Sequence, residues 1–157
     1  MIKKSITYVC LLSLLFMFGA CSHGVDARDC HGQAIRLHDY QGKWVFINYW
    51  AIWCKPCLAE ISTLEKLYQA HKDKIVVLGV SDETLSSRNI RAIERKLGTT
   101  FPMLSSFPLE KLGTNNISVL PMTFILDPQG KLYKVLKGPQ SEQDFLTAIN
   151  LTARARS

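Results

Sequence analysis

The stretch WAIWCKPCLAEI, residues 50–61, decides how the rest of the chain is read. Two cysteines, Cys54 and Cys57, stand two residues apart, and four chemistries use that spacing: a metal site, a covalent haem, a structural disulfide or electron exchange. A covalent haem wants histidine directly after the second cysteine, and Leu58 stands there. A structural zinc site wants two more ligands at comparable spacing. His23, His31, His38 and His71 form no such pattern, so no metal is expected at this pair. The flanking sequence separates the last two options. Upstream, Trp44–Trp50 (WVFINYW) is nearly continuous in β-branched and aromatic residues, as in a strand buried on both faces. Downstream, from Lys55 to about His71, Leu58, Ile61, Leu64, Leu67 and Tyr68 recur at intervals of three and four, the period of an amphipathic helix.

A cysteine pair between a strand end and a helix start suits redox chemistry better than stapling. Cys54 falls at the helix N-terminus, where unpaired backbone N–H groups and the macrodipole favour a thiolate. Lys55 adds a positive charge beside it. Pro56 fits the first helical turn, where no N–H is needed, and stiffens the spacing. In this reading Cys54 attacks a substrate disulfide, and Cys57, one turn further in, resolves the mixed disulfide.

Working outward, Ile75–Val80 (IVVLGV) reads as a second buried strand, and Ser86 to Leu97 as a helix stopped by Gly98. Phe101–Leu104 is extended, Leu109 to Gly113 makes about one helical turn, and Met122–Leu126 is a strand. Asp127-Pro128-Gln129-Gly130 has turn chemistry, and Lys131 to Leu136 returns as a hairpin partner. Ser141 opens a last helix with an acid, Asp144, at its third position, as in a capping box. Gln33 to Leu37 reads as a weak hairpin entry. The order β-α-β-α-(β)-β-β-α implies a sheet with a parallel portion and an antiparallel hairpin, with helices on both faces.

The chain has 157 residues and a formal charge of +6, enough for one domain plus an appendage. The appendage is N-terminal. Lys3 and Lys4 precede an apolar run from Ile6 to Phe18, the pattern of a secretory signal. It ends in Phe18-Gly19-Ala20-Cys21-Ser22, which resembles a lipobox, with cleavage before Cys21 and acylation of that cysteine. Phe18 departs from the usual Leu. Cleavage after Gly24, or retention as an uncut anchor, are the alternatives, and all three routes take the domain out of the cytoplasm. Loss of residues 1–20 removes Lys3 and Lys4, so the mature charge falls to +4. Nothing in the chain resembles a basic, aromatic-interleaved nucleic-acid surface. The expected organisation is a signal peptide over 1–20, a tether over 21–31 and one domain over 32–153. With Cys10 lost and Cys21 lipidated, Cys30, Cys54 and Cys57 remain, an odd number. Cys30, in Cys30-His31-Gly32, is read as a small turn residue, with an intermolecular disulfide or a metal bound with His31 as alternatives.

With these residues in hand the chain resembles the thioredoxin-like oxidoreductases of the TlpA/ResA type, which include DsbE-like proteins. The match rests on Asn48-Tyr49-Trp50-Ala51-Ile52-Trp53-Cys54-Lys55-Pro56-Cys57-Leu58-Ala59-Glu60, on Gly42-Lys43, on Phe101-Pro102-Met103-Leu104 and on Val119-Leu120-Pro121-Met122-Thr123-Phe124, ending in Asp127 and Gly130. It spans about Gly32 to Ile149. It implies a thioredoxin-like α/β fold, a central mixed sheet flanked by helices, with an inserted helix and strand segment and an N-terminal β-hairpin. It also implies roles. Pro121 matches the family's cis-proline beside the disulfide. Glu60 matches an acidic residue that influences cysteine protonation in some relatives, the alternative being a first-turn glutamate that complements the helix dipole. Trp53 flanks the sulfur or caps the core, and with Lys55, Pro56 and Leu120 it forms the substrate-facing rim. Asn48 stands where cytoplasmic thioredoxins carry a buried aspartate, so proton transfer falls to Glu60 or water.

The resemblance implies an enzyme with no cofactor. It would be a monomeric, lipid-tethered protein-disulfide oxidoreductase that reduces exported proteins, apocytochrome c among them, and is resupplied by a membrane electron donor. Competing readings are an oxidase or isomerase with the same site, a Cu(I) carrier and a peroxidase. The last lacks its Pro-x-x-x-Thr-x-x-Cys surround, since Trp50-Ala51-Ile52-Trp53 precedes Cys54.

Overall fold

The computed structural model describes residues 24–151. The signal and lipobox readings, with Cys10 and Cys21, lie outside the described residues. Seven strands and three α-helices are present in this range: β1 Ala27–Arg28, β2 Ala34–Ile35, β3 Trp44–Trp50, α1 Lys55–Ala70, β4 Ile75–Ser81, α2 Ser87–Leu97, β5 Met103–Leu104, β6 Met122–Leu126, β7 Leu132–Lys137 and α3 Glu142–Ala148. Single 3-10 turns fill Leu37–Tyr40 and Leu109–Leu112.

β3 to β7 form one mixed sheet in the order β5-β4-β3-β6-β7. β3 runs parallel to β4, with Trp44 opposite Ile75 and Trp50 opposite Ser81, and antiparallel to β6, with Tyr49 opposite Met122. The central position of β3 explains its sequence. From Val45 to Trp50 every residue is buried, so no position in that stretch is left for a solvent-facing polar side chain. Alternation sorts the residues between two cores. Phe46, Trp50, Ile75, Val77 and Ile125 face one side, and Val45, Ile47, Tyr49, Val76, Leu78 and Phe124 the other.

All three α-helices lie on the first side. α1 contributes Cys57, Ile61, Leu64 and Leu67, α2 Ile90, and α3 Phe145, Leu146 and Ala148. The second side is covered by the β1–β2 hairpin through Ile35, and by the 3-10 turns through Leu37, Tyr40, Leu109 and Leu112. The sheet is flanked on both faces, but the α-helices expected on both lie on one. Only the hairpin and single 3-10 turns cover the other, because the segment there is too short for an α-helix. The segment over 109–112 lies between Pro108 and a left-handed Gly113, which leaves room for one turn only.

Ile61, Leu64 and Leu67 are at most 1% exposed, and burying such side chains contributes about 1.5–3 kcal/mol each. That anchors the helix whose first residues carry the chemistry. Its partner helices have orthodox ends: Ser86 caps α2 and Gly98 closes it at φ 67°, while Ser141 and Asp144 form the capping box of α3.

The fold begins earlier than the expected boundary at residue 32. Ala27 pairs with Ile35 and Arg28 with Ala34, so part of the presumed tether is the first strand of the domain. Asp29 also bridges to Leu104 on β5, which fastens the hairpin to the sheet edge.

Candidate active site

Cys54 and Cys57 are joined by a disulfide with a Cα–Cα separation of 5.3 Å. Cys54 is the N-cap of α1, and its sulfur accepts the Cys57 N–H at 3.3 Å, an orphan donor of the first turn. Pro56 occupies the first turn, where its missing N–H costs nothing. Cys54 retains 5% exposure against none for Cys57, so it is the more accessible sulfur of the pair. Around it the rim is apolar and open: Ile52 is 49% and Trp53 68% exposed, with Val119 also exposed. Trp53 therefore does not cap the core. The loop carrying it is pinned where the Ile52 N–H donates to Glu83 Oε2 at 2.8 Å and the Asp82 N–H to the Trp50 carbonyl at 2.8 Å.

The Leu120–Pro121 peptide is cis. Since Tyr49 is opposite Met122, Pro121 stands level with Trp50, at the end of the sheet from which the cysteine loop departs. Leu120 packs against both cores, including the cluster that holds Cys54 and Cys57.

Behind the disulfide lies a buried polar cluster. Glu60 is 3% exposed and sits in the second turn of α1, so it does not serve the helix dipole as a first-turn acid would. Asn48 Nδ2 donates to Glu60 Oε1 at 2.7 Å and to Thr123 Oγ1 at 2.9 Å. The Gln140 N–H donates to Glu60 Oε2 at 2.5 Å. Burial pushes the carboxyl up to about 7, while the Gln140 and Asn48 hydrogen bonds pull the other way. A carboxyl that titrates near neutrality, three residues from Cys57 on one helix, has the acidity a proton carrier for thiol chemistry needs. Asn48, Thr123 and Gln140 arise on β3, β6 and the loop before α3. Their convergence depends on the register and left no trace in local sequence, apart from Asn48 itself.

Cys30 is free and 2% exposed. Its sulfur lies 3.8 Å from Glu94 Oε2, and His31 Nε2 lies 2.8 Å from the same oxygen. Burial first, then the charges of Glu94 and Asp29, raise this thiol to about 11. It is the opposite of an activated cysteine.

A redox-active disulfide at the mouth of a helix, on a mixed thioredoxin-type sheet with a cis-proline at the same end, defines the thiol–disulfide oxidoreductases. The AhpC/TSA family model matches residues 20–135, and the chain belongs to that family. Among curated relatives, the thiol-disulfide oxidoreductase ResA of Geobacillus thermodenitrificans is 33% identical over 120 residues, 74% of this chain and 67% of that protein. Among solved structures, a DsbF homologue from Corynebacterium diphtheriae superposes with a TM-score of 0.71 at 28% identity, covering 79% of this chain and 81% of that one. The exposed lipoprotein thioredoxin Etrx1 of Streptococcus pneumoniae gives 0.66 at 26% identity, over 79% and 96% respectively. The protein is accordingly a thiol–disulfide oxidoreductase that acts on disulfide-containing substrates.

Proposed function

We propose that this oxidoreductase works outside the cytoplasm as a reductant of exported proteins, with Cys54 as attacking and Cys57 as resolving thiol. The observation that carries the reading is the placement of Cys54 as N-cap of α1, the more accessible sulfur of the pair, with its thiolate supported by the first-turn N–H of Cys57. In the reduced enzyme the Cys54 thiolate attacks one sulfur of the client disulfide. The client S–S bond breaks, a mixed disulfide forms and one client thiolate leaves. Cys57 then attacks Cys54 Sγ, releases the second client thiol and regenerates the Cys54–Cys57 disulfide. Two electrons pass from enzyme to client. Glu60 receives the Cys57 proton as that thiol becomes a nucleophile. Pro121, level with Trp50, offers the edge on which an extended client segment lies, between the exposed side chains of Trp53 and Val119, with Lys55, Pro56 and Leu120 completing the rim.

The oxidised enzyme must be reset by a reductant, and in an oxidising compartment a membrane thiol donor is the source. The N-terminal basic and apolar pattern, with Cys21 as the lipidated residue, supports tethering to the membrane surface. No helix among the described residues is long and apolar enough to cross a membrane. Apocytochrome c is the client class that the resemblance to TlpA/ResA-type proteins implies.

The test is the reduction potential of the Cys54–Cys57 pair, read by thiol trapping across defined redox buffers in a Cys30→Ser background. A value near or below about −270 mV establishes a reductase; a value of about −120 to −180 mV establishes an oxidase or isomerase instead.

A further inference from the structure

The side chains around Cys30 converge in a way the redox chemistry does not use. The turn between β1 and β2 is held by its own hydrogen bonds: Asp29 Oδ1 accepts from the N–H groups of His31 at 2.9 Å and Gln33 at 2.8 Å, and the Cys30 N–H donates to the Met103 carbonyl at 2.8 Å. Against this turn lies α2, which presents Arg91 and Glu94, three residues apart and so on one face. Arg91 donates to the Cys30 carbonyl, and Glu94 Oε2 reaches both Cys30 Sγ and His31 Nε2. One sulfur, one imidazole nitrogen and one carboxylate oxygen thus lie within 4.8 Å of one another.

We propose that Cys30, His31 and Glu94 form a binding site for a divalent cation of zinc type. The donor set, a thiolate, an imidazole and a carboxylate, suits zinc, which takes all three at roughly 2.0–2.3 Å. Tetrahedral ligation at those lengths separates neighbouring donors by about 3.2–3.7 Å. The observed separations of 3.8 Å for Sγ–Oε2 and 2.8 Å for Nε2–Oε2 straddle that range. The Arg91 guanidinium is the unfavourable neighbour, and the Asp29 carboxylate offsets it. Because the turn is bonded to β5 and the third ligand comes from α2, the backbone holds the ligands without metal. His31 is half exposed, which leaves the fourth position open to water on that side. Bound metal would staple the first hairpin to α2. It would also withdraw the third thiol from exchange with Cys54, Cys57 and their clients.

The full chain is stripped of metal, kept with Cys54–Cys57 oxidised, and titrated with Co2+ and then Zn2+. The expected result is one Co2+ per chain with thiolate-to-cobalt charge-transfer absorption, displaced by one Zn2+. Cys30→Ser abolishes the charge-transfer band. His31→Gln and Glu94→Gln each weaken binding at least about tenfold, with near-ultraviolet circular dichroism unchanged, since His31 is a surface residue. The proposal is overturned by the absence of saturable one-to-one binding, by a charge-transfer band that survives Cys30→Ser, or by wild-type affinity in both His31→Gln and Glu94→Gln.

Discussion

Two cysteine environments within one small domain lead to opposite chemistry. Cys54 lies at the start of α1, with a backbone N–H aimed at its sulfur and an open apolar rim around it. Cys30 is about as well buried, yet its nearest partners are a carboxylate and the backbone of a tight turn, and its thiol is raised to about 11. Burial alone therefore does not set reactivity. What differs is whether the surrounding dipoles and charges favour or oppose a negative sulfur.

The contrast breaks most completely at the active pair. Cys54→Ser is expected to abolish reductase turnover, whereas Cys57→Ser accumulates covalent enzyme–client complexes that a thiol reductant dissolves. Non-reducing electrophoresis with a disulfide-containing client distinguishes the two. Equal loss in Cys30→Ser would overthrow the comparison. Next in size is alkylation of the metal-free, reduced, folded protein at pH 7. Cys30 should react at least about a hundredfold more slowly than Cys54, read by mass spectrometry of the labelled peptides.

Glu60 sharpens the active side of the comparison through pH. Its folded pKa of about 7 lies above the 4.5 of a free carboxyl, so the folded state binds the extra proton between those values. The stability this contributes is complete below about pH 4.5 and is lost as pH rises through 7. The loss is on the order of 3 kcal/mol from the linkage relation. Denaturant titrations of the oxidised protein at pH 5 and pH 8 should show that decline, and Glu60→Gln should flatten it. A smaller effect is expected from Glu94→Gln. Removing its charge lowers the Cys30 pKa and speeds alkylation of Cys30 by less than about tenfold, since burial remains the leading cause.

Much of this was legible because the period of the sequence matched the period of the structure. β3 and the helices over 55–70 and 87–97 are long, strongly patterned and fall where their residues place them. β1 and β5 are two residues each, too short to carry any period, and β1 falls within the expected tether. Within the site, Cys54, Lys55, Pro56 and Cys57 are adjacent in sequence and were readable together. Glu60 is legible by its helical spacing, but Asn48 and Gln140, which donate to it, and Thr123, which accepts from Asn48, lie 12 to 80 residues from their bonded partners and meet only through the tertiary fold. Glu94, 63 residues from His31, was invisible for the same reason. Gly79 shows the reverse case, a constraint with no signal at all. A Cβ there would stand 2.5 Å from Met103 Sδ and 3.0 Å from Phe101 Cε2, so nothing larger fits under β5 without displacing them.

The order β5-β4-β3-β6-β7 leaves the sheet two margins, and they are defended differently. One is brief and stitched to the Asp29 bridge, so a foreign strand finds little free backbone. The other, β7, runs six residues as Leu-Tyr-Lys-Val-Leu-Lys, with Leu132 and Tyr133 exposed. Lys134 and Lys137 within it mean that a second chain adding itself there would have to bring positive charge against its own backbone. A thiol–disulfide oxidoreductase meets other chains as substrates, and a lysine-studded selvedge of this kind opposes their addition as a further strand at the open margin.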